Sequence, residues 1–222
     1  MMEIRTKIVP LFPLEKVVLF PRALLSIQMP PLTKVLGLGE HVTQDAEICF
    51  GLVKDLKKKD SQGQEETPRE TYKIACVGRV VNKEIQGDDS YRILVEGVER
   101  VRIIRQVRSK PVEQVEVEVL HDFVDLTRKA DVNDELGHLL KLTRQMGKML
   151  PHFNPIIKSI IAAYPHPAII ADLITYTFIK DTYTKLCVLE ELDTLRRIRL
   201  VTVQMRGIFR KLSRQHNRDT RL

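Results

Sequence analysis

The chain has 222 residues, of which 43% are apolar and 29% are charged, an ordinary composition for a globular protein with a sizeable core. This length fits one large domain or two small ones, and no apolar run approaches the roughly 18 residues of a membrane span. Pro10 and Pro13 interrupt the first apolar run, so no signal core is recognisable. We therefore predict a cytoplasmic protein without membrane contact.

The net charge of +7 is distributed unevenly along the chain. Residues 196–222 contain nine Lys and Arg against one acid, whereas residues 1–195 contain 27 Lys and Arg against 28 Asp and Glu. The positive excess therefore belongs to the end of the chain, and the body is nearly neutral. Total charge alone does not indicate a broad nucleic-acid-binding face.

The first 125 residues are typical of β-strands separated by turns. Prolines at positions 10, 13 and 21 predict strand edges and turns, because proline has no N–H for a ladder bond. A weak helix is expected at residues 32–44 and a polar surface loop at residues 54–70. The predicted strands are Lys7–Phe12, Val17–Phe20, Ala23–Gln28, Glu47–Val53, Tyr72–Ile85, Tyr91–Val107 and Val112–Val119.

The clearest local prediction is a hairpin. Two strand-like segments flank Gly87-Asp-Asp-Ser90, whose residues favour a tight turn. In the second segment the apolar alternation changes phase at Glu96-Gly97, which predicts a β-bulge near Gly97.

After Asp125 the apolar period becomes helical. Asp131, Asn154, Asp181 and Asp193 are predicted to cap successive helices. The last helix carries an apolar stripe that predicts packing on the other helices, with a coiled-coil contact as the alternative. The stripe consists of Leu195, Ile198, Met205, Phe209 and Leu212.

Strands first and helices afterwards is an α+β order. We predict a β-rich subdomain at residues 1–125, a helical bundle at 126–193, and a long basic C-terminal helix and tail at 194–222. The three cysteines, Cys49, Cys76 and Cys187, are far apart and follow no metal-binding spacing, so they are predicted to be packing thiols.

Two stretches resemble the N-terminal domain of Lon-type ATP-dependent proteases. Val9–Pro21 (VPLFPLEKVVLFP) is similar to the opening pattern of that family, and Leu94-Val-Glu-Gly97 followed by Arg100 is similar to its central hairpin. The resemblance extends from about residue 7 to 213. It implies a PUA-like β pseudo-barrel, a helical bundle and a long exit helix, in a region that recognises unfolded or tagged substrates and assists subunit assembly. The segment Arg22–Pro31 departs from the family pattern, because it lacks the usual basic glycine turn.

The sequence lacks the ATPase and protease motifs that a Lon-type protease would require. Its only Gly-Lys pair, Gly147-Lys148, is not part of a G-x-x-x-x-G-K-[ST] phosphate-binding loop. Ser109 and Lys110 are adjacent, a placement that does not suit a serine–lysine dyad. The six histidines follow no metal-ligand spacing. We predict no catalytic residue, cofactor or metal, and therefore no enzyme.

Two functions remain open at this point. The first is recognition of unfolded polypeptide or a partner protein through Phe12, Phe20, Leu24, Leu25 and Met29 on the barrel. The alternative is RNA binding by the basic last helix, through Arg206, Arg210, Lys211 and Arg214, although the chain has few aromatic residues for base stacking. Self-association through the same helix is also possible.

Overall fold

The structure, a computed structural model, describes residues 5–29, 42–54, 70–86, 90–108 and 112–219. The predicted weak helix at 32–44, the polar loop at 54–70 and the hairpin turn at 87–90 lie almost entirely outside these residues. The strands precede the helices along the chain, which confirms the α+β order. The strands are β1 (Thr6–Leu14), β2 (Leu24–Met29), β3 (Glu47–Leu52), β4 (Ile74–Ile85), β5 (Tyr91–Arg108) and β6 (Gln114–Val119).

Five of these strands close into a barrel. β5 pairs with β4, β4 with β3, β3 with β1, β1 with β6, and β6 again with β5. The β1–β3 pair is parallel and the other pairs are antiparallel. Alternate side chains of the strands fill the interior, because successive residues of a strand point to opposite faces. This core contains Val9, Leu11, Cys49, Ala75, Val77, Val101, Val115, Val117 and Val119.

The position of the prolines in β1 corrects the prediction that they mark strand edges. Pro10 and Pro13 lie inside the strand. The half of β1 that ends at Pro10 pairs with β6, and the half that begins at Leu11 pairs with β3. Each half therefore has one strand neighbour among the described residues, so each proline has a side on which no ladder bond is lost.

The segment Val17–Phe20 is not a strand, contrary to the prediction. Val18, Leu19 and Phe20 are buried, and a Cβ atom added to Gly78 on β4 would lie 2.9 Å from the Leu19 side chain. The apolar run therefore reflects packing against the sheet and not ladder pairing. The chain then turns at Arg22, whose φ of 66° is uncommon for a residue other than glycine.

The predicted bulge in β5 is confirmed. Glu99 pairs with Val77 and Gly97 pairs with Gly78, which leaves Val98 as the extra residue.

The second half of the chain is helical. Single turns of 3₁₀-helix at Leu126–Arg128 and Pro151–Phe153 precede the first and second α-helices. The long last helix packs mainly against the first, and also against the third. The helices are α1 (Lys129–Met149), α2 (Asn154–Ala163), α3 (Pro167–Phe178), α4 (Thr182–Glu190) and α5 (Thr194–Asp219).

Two of the four predicted caps are confirmed. The carboxylates of Asp181 and Asp193 each accept a hydrogen bond from the backbone N–H three residues later, at the starts of α4 and α5. The other two predictions are wrong, because Asp131 lies in the first turn of α1 and Asn154 is already helical. In both places a 3₁₀ turn comes first, so the α-helix begins without a side-chain cap.

The apolar stripe of α5 packs as predicted. Leu195, Ile198 and Met205 are buried, whereas Phe209 and Leu212 are half-buried. The stripe is therefore a packing surface of the helical part.

The chain consists of two compact units, Met1–Leu120 and His121–Leu222. The first contains all the described strands and the second all the described helices, including α5. Residues 121–125 go with the helices because Phe123 forms a β-bridge with Asp193, so the boundary lies slightly before the predicted one. No helix in the described ranges is long and apolar enough to cross a membrane.

Candidate functional site

A three-stranded sheet formed by β2, β5 and β4 carries the exposed apolar residues expected of a binding surface. The first six residues of β5 pair with β2 on one side and with β4 on the other. On one face of this sheet, the β5 side chains Tyr91, Ile93 and Val95 are completely buried. They form the buried centre of this sheet, between the two flanking strands.

The flanking strands are only partly covered. Leu25 lies opposite Val95 and Ile27 opposite Ile93, and both β2 side chains are half-buried. Ile85, on β4 opposite Tyr91, is 80% exposed. Directly opposed side chains of antiparallel strands share a face, so the apolar face is open at both margins.

On the other face, Leu24 lies opposite Glu96 and is 56% exposed. We call Leu24, Leu25, Ile27 and Ile85 the β2 surface. Leu24 lies on the opposite face of the sheet from the other three residues, so the β2 surface includes apolar side chains on both faces.

The structure distributes the five predicted contact residues over different environments. Leu24 and Leu25 are consecutive residues of β2 that point to opposite faces of the sheet, whereas Phe20 is 0% exposed and belongs to the core. Phe12 is half-buried on β1, and its ring centroid lies 5.7 Å from that of Phe50. Met29 ends β2, and its side chain lies outside the described part of the chain.

Backbone hydrogen bonds fix the start of β2. The Arg22 N–H donates to the Gly97 carbonyl at 2.7 Å, and the Gly97 N–H donates to the Ala23 carbonyl at 2.9 Å. The Arg22 guanidinium also lies 3.4 Å from a carboxylate oxygen of Glu96. Leu24 therefore follows a segment held on β5 by main-chain contacts.

A second surface of note is a row of arginines on α5. Arg196, Arg199, Arg206, Arg210 and Arg214 are all exposed and recur at helical spacing on one side of the helix. Lys211, also predicted as a basic contact, is exposed but lies off this row, because each residue turns the helix by about 100°.

Arg197 is different from these neighbours, because its side chain is 0% exposed. It donates hydrogen bonds to both carboxylate oxygens of Asp122, one of them at 3.1 Å, and to Asp172 at 3.4 Å. Its Nε donates to the Glu191 carbonyl at 2.8 Å. Burial alone lowers the pKa of Arg197, but the two aspartates raise it, and the net result is above the ordinary value.

This buried cluster was not predicted from the sequence, in which Arg197 is one of nine basic residues at the end of the chain. A signal was present, because Asp172 is the one charged residue in the mainly apolar α3. A carboxylate among buried residues requires a cationic or hydrogen-bonding partner.

Within the described ranges, no group of three or more His, Cys, Asp or Glu side chains is arranged to hold a metal ion. Cys49 and Cys76 are buried and Cys187 is half-buried, all as thiols, in keeping with the predicted packing role. Burial raises the pKa of Cys49 to about 12, so this thiol is protonated and unreactive at neutral pH.

The fold matches solved N-terminal domains of Lon proteases. The structure of the N-terminal domain of the Mycobacterium avium complex Lon protease aligns with a TM-score of 0.66 and 14% identity, over 90% of this chain and 98% of that one. The Lon N-terminal domain protein from Xanthomonas campestris aligns with a TM-score of 0.57 and 16% identity, over 89% of this chain and 98% of that one. At these identities the likeness establishes the fold, an α+β fold with a barrel and a helical unit.

The family follows from the sequence. The model of the ATP-dependent protease La (LON) substrate-binding domain matches residues 8–207, and the chain belongs to this family.

The curated relatives are Lon proteases, and the match covers only a part of each. The chain is 25% identical over 196 residues to Lon protease of Dictyoglomus thermophilum, a match that covers 88% of this chain and 24% of that protein. It is 27% identical over 199 residues to Lon protease 2 of Myxococcus xanthus, which covers 88% of this chain and 23% of that protein. The chain therefore spans about a quarter of the length of these relatives and matches the substrate-binding domain alone.

Proposed function

We propose that the chain binds extended or unfolded polypeptide through the β2 surface, as a recognition module that itself performs no catalysis. Membership of the Lon substrate-binding family supports the substrate class. The observation that supports this location is the pair Leu24 and Leu25, which are adjacent apolar residues of an ordered strand. Leu24 is exposed and Leu25 is half-buried.

The chemistry of the β2 surface suits weak and adaptable binding. Full burial of a leucine or isoleucine side chain is worth about 1.5–3 kcal/mol, and the β2 surface offers three such side chains on one face of the sheet and Leu24 on the other. Ordering a flexible ligand offsets much of that gain. The small net binding free energy favours binding of many different short apolar segments over binding of one particular sequence.

In the curated relatives, ATP-dependent proteolysis is a property of the whole protease, of which this region is about a quarter. We propose that the module delivers bound polypeptide to such a machine, present on the same or an associated chain. The three thiols are compatible with a reducing, cytoplasmic location, which is part of the proposal.

The test compares two substitutions at equally exposed positions of the barrel unit. Leu24 and Ile8 are each 56% exposed, but Ile8 lies on β1, outside the β2 surface. Leu24→Glu should weaken the binding of fluorescently labelled casein roughly tenfold, equal to about 1.4 kcal/mol, whereas Ile8→Glu should leave the affinity almost unchanged. Equal losses in both variants would contradict the proposed location.

Salt dependence separates this function from the RNA-binding alternative. Binding through apolar side chains should change little between low and moderate salt, whereas binding to phosphates through several arginines should weaken steeply. If the chain binds RNA tightly and casein not at all, the recognition of unfolded polypeptide is wrong.

A further inference from the structure

The arginine row of α5 has an apolar residue in its middle. Val203 lies between Arg199 and Arg206 on the same side of the helix and is 59% exposed. From Arg196 to Arg214 the row extends about 27 Å at the helical rise of 1.5 Å per residue. Its spacing alternates between three and four residues in its first part, which keeps a row straight along a helix.

The arginines of this row have few partners within the chain. Arg196 lies 3.8 Å from Asp193, but no described residue forms an ion pair or side-chain hydrogen bond with Arg199, Arg206, Arg210 or Arg214. The sequence offers none nearby, since no Asp or Glu occurs between Leu195 and Arg218. The row is thus a continuous exposed surface of one charge.

This arrangement of arginines does not stabilise the helix. Arg206, Arg210 and Arg214 follow one another at four-residue spacing, where like charges repel. Arg196 lies in the first turn of the helix, where the helix dipole disfavours positive charge. A solvent-exposed helical face usually mixes both signs, which lowers this repulsion.

We infer that the row docks an acidic helix of another protein, with carboxylates opposite the arginines and an apolar side chain opposite Val203. Such a helix supplies the complementary charge at the complementary spacing, and arginine is a favoured residue at protein interfaces. This inference goes beyond the proposed function, because the row lies in the helical unit and the β2 surface in the barrel unit.

Two other occupants fit less well. A phosphodiester backbone gains nothing from Val203 at the centre of the row, and the row has no aromatic residue on which a base could stack. A second copy of this chain lacks a matching helix among the described ones, because the acids of α1 are confined to its beginning, at Asp131, Asp134 and Glu135.

The test uses the full chain and three probes. The first is a synthetic helical peptide of about 20 residues, the length of the row, with glutamates at alternating three- and four-residue spacing and a leucine in the middle. The second is a peptide of the same composition in scrambled order, and the third is a single-stranded oligouridylate. Fluorescence anisotropy gives each affinity at two salt concentrations.

Two variants and a matched control locate the site. The triple variant Arg199→Glu/Arg206→Glu/Arg210→Glu reverses the row. The control, Lys141→Glu/Arg144→Glu/Lys148→Glu, reverses the same charge at exposed positions of α1. Val203→Ser tests the apolar centre without a change of charge. Circular dichroism confirms that each variant is folded.

The helical peptide should bind at least about tenfold more tightly than the scrambled one. Reversal of the row should abolish this binding, Val203→Ser should weaken it roughly threefold, and the α1 control should change it less than the reversed row does. Equal affinity for both peptides would overturn the inference. The inference would also be overturned if oligouridylate bound more tightly than the helical peptide and Val203→Ser left that binding unchanged. This result would assign the row to nucleic-acid binding.

Discussion

A Cβ atom at Gly97 would lie 2.0 Å from the carbonyl oxygen of Phe20. The backbone of β5 and the segment that leads into β2 are therefore in direct contact, with no space for a side chain between them. Because two hydrogen bonds join Gly97 to Arg22 and Ala23, this contact sets the position at which β2 begins. The glycine of the Leu94–Gly97 motif is thus required by packing.

The first prediction concerns this contact. Gly97→Ala should destabilise the protein by about 3 kcal/mol or more, since backbone and not a flexible side chain blocks the new methyl group. Gly137→Ala is the matched control, because nothing lies within 4 Å of a Cβ atom there and the residue is in the middle of α1. The control should raise stability by about 1 kcal/mol. Urea denaturation measures both, and a mild effect of Gly97→Ala would refute the packing argument.

The second prediction concerns the buried arginine. Arg197→Leu should cost about 3–5 kcal/mol, because it leaves Asp122 and Asp172 without their shared cation. Arg196→Leu, one residue earlier and 71% exposed, should change stability by less than about 0.5 kcal/mol. Equal effects of the two substitutions would show that the buried ion cluster does not contribute to the stability of the fold.

The third prediction concerns alkaline pH. The pKa of Cys49 is about 12 in the folded protein, against an ordinary value of 9.0. Because the pKa of the thiol is lower in the unfolded chain, the unfolded chain loses this proton first as pH rises. The stability that Cys49 contributes therefore falls as pH rises above about 9. From pH 7 to pH 10 the stability difference between wild type and Cys49→Ala should shift by about 1.4 kcal/mol against wild type. A constant difference would show that Cys49 is accessible to solvent.

Local patterns predicted much of the fold. The phase change at Gly97 indicated the bulge in β5, and the caps at Asp181 and Asp193 were recognisable because their hydrogen bonds span only three residues. Non-local pairing was harder to predict. The prolines of β1 are tolerated because the strand changes neighbour between Pro10 and Leu11, a feature of topology that no local pattern carries.

The candidate sites show the same limit. An apolar run does not reveal which of its residues face the core. Phe20 and Leu24 were therefore both predicted as contact residues, although Phe20 is buried and Leu24 is exposed. Similarly, Arg197 and Arg196 are adjacent arginines with opposite environments. The partner that distinguishes them, Asp122, is 75 residues away along the chain.

Amide hydrogen exchange with and without saturating unfolded casein tests the central claim most directly. The claim predicts slower exchange of β2, Leu24–Met29, and of the end of β4 that carries Ile85 when the polypeptide is bound, since bound chain excludes water from these strands. The Leu24→Glu variant should lose this protection and the Ile8→Glu variant should keep it. Protection confined to the helices, with β2 unchanged, would contradict recognition at the β2 surface.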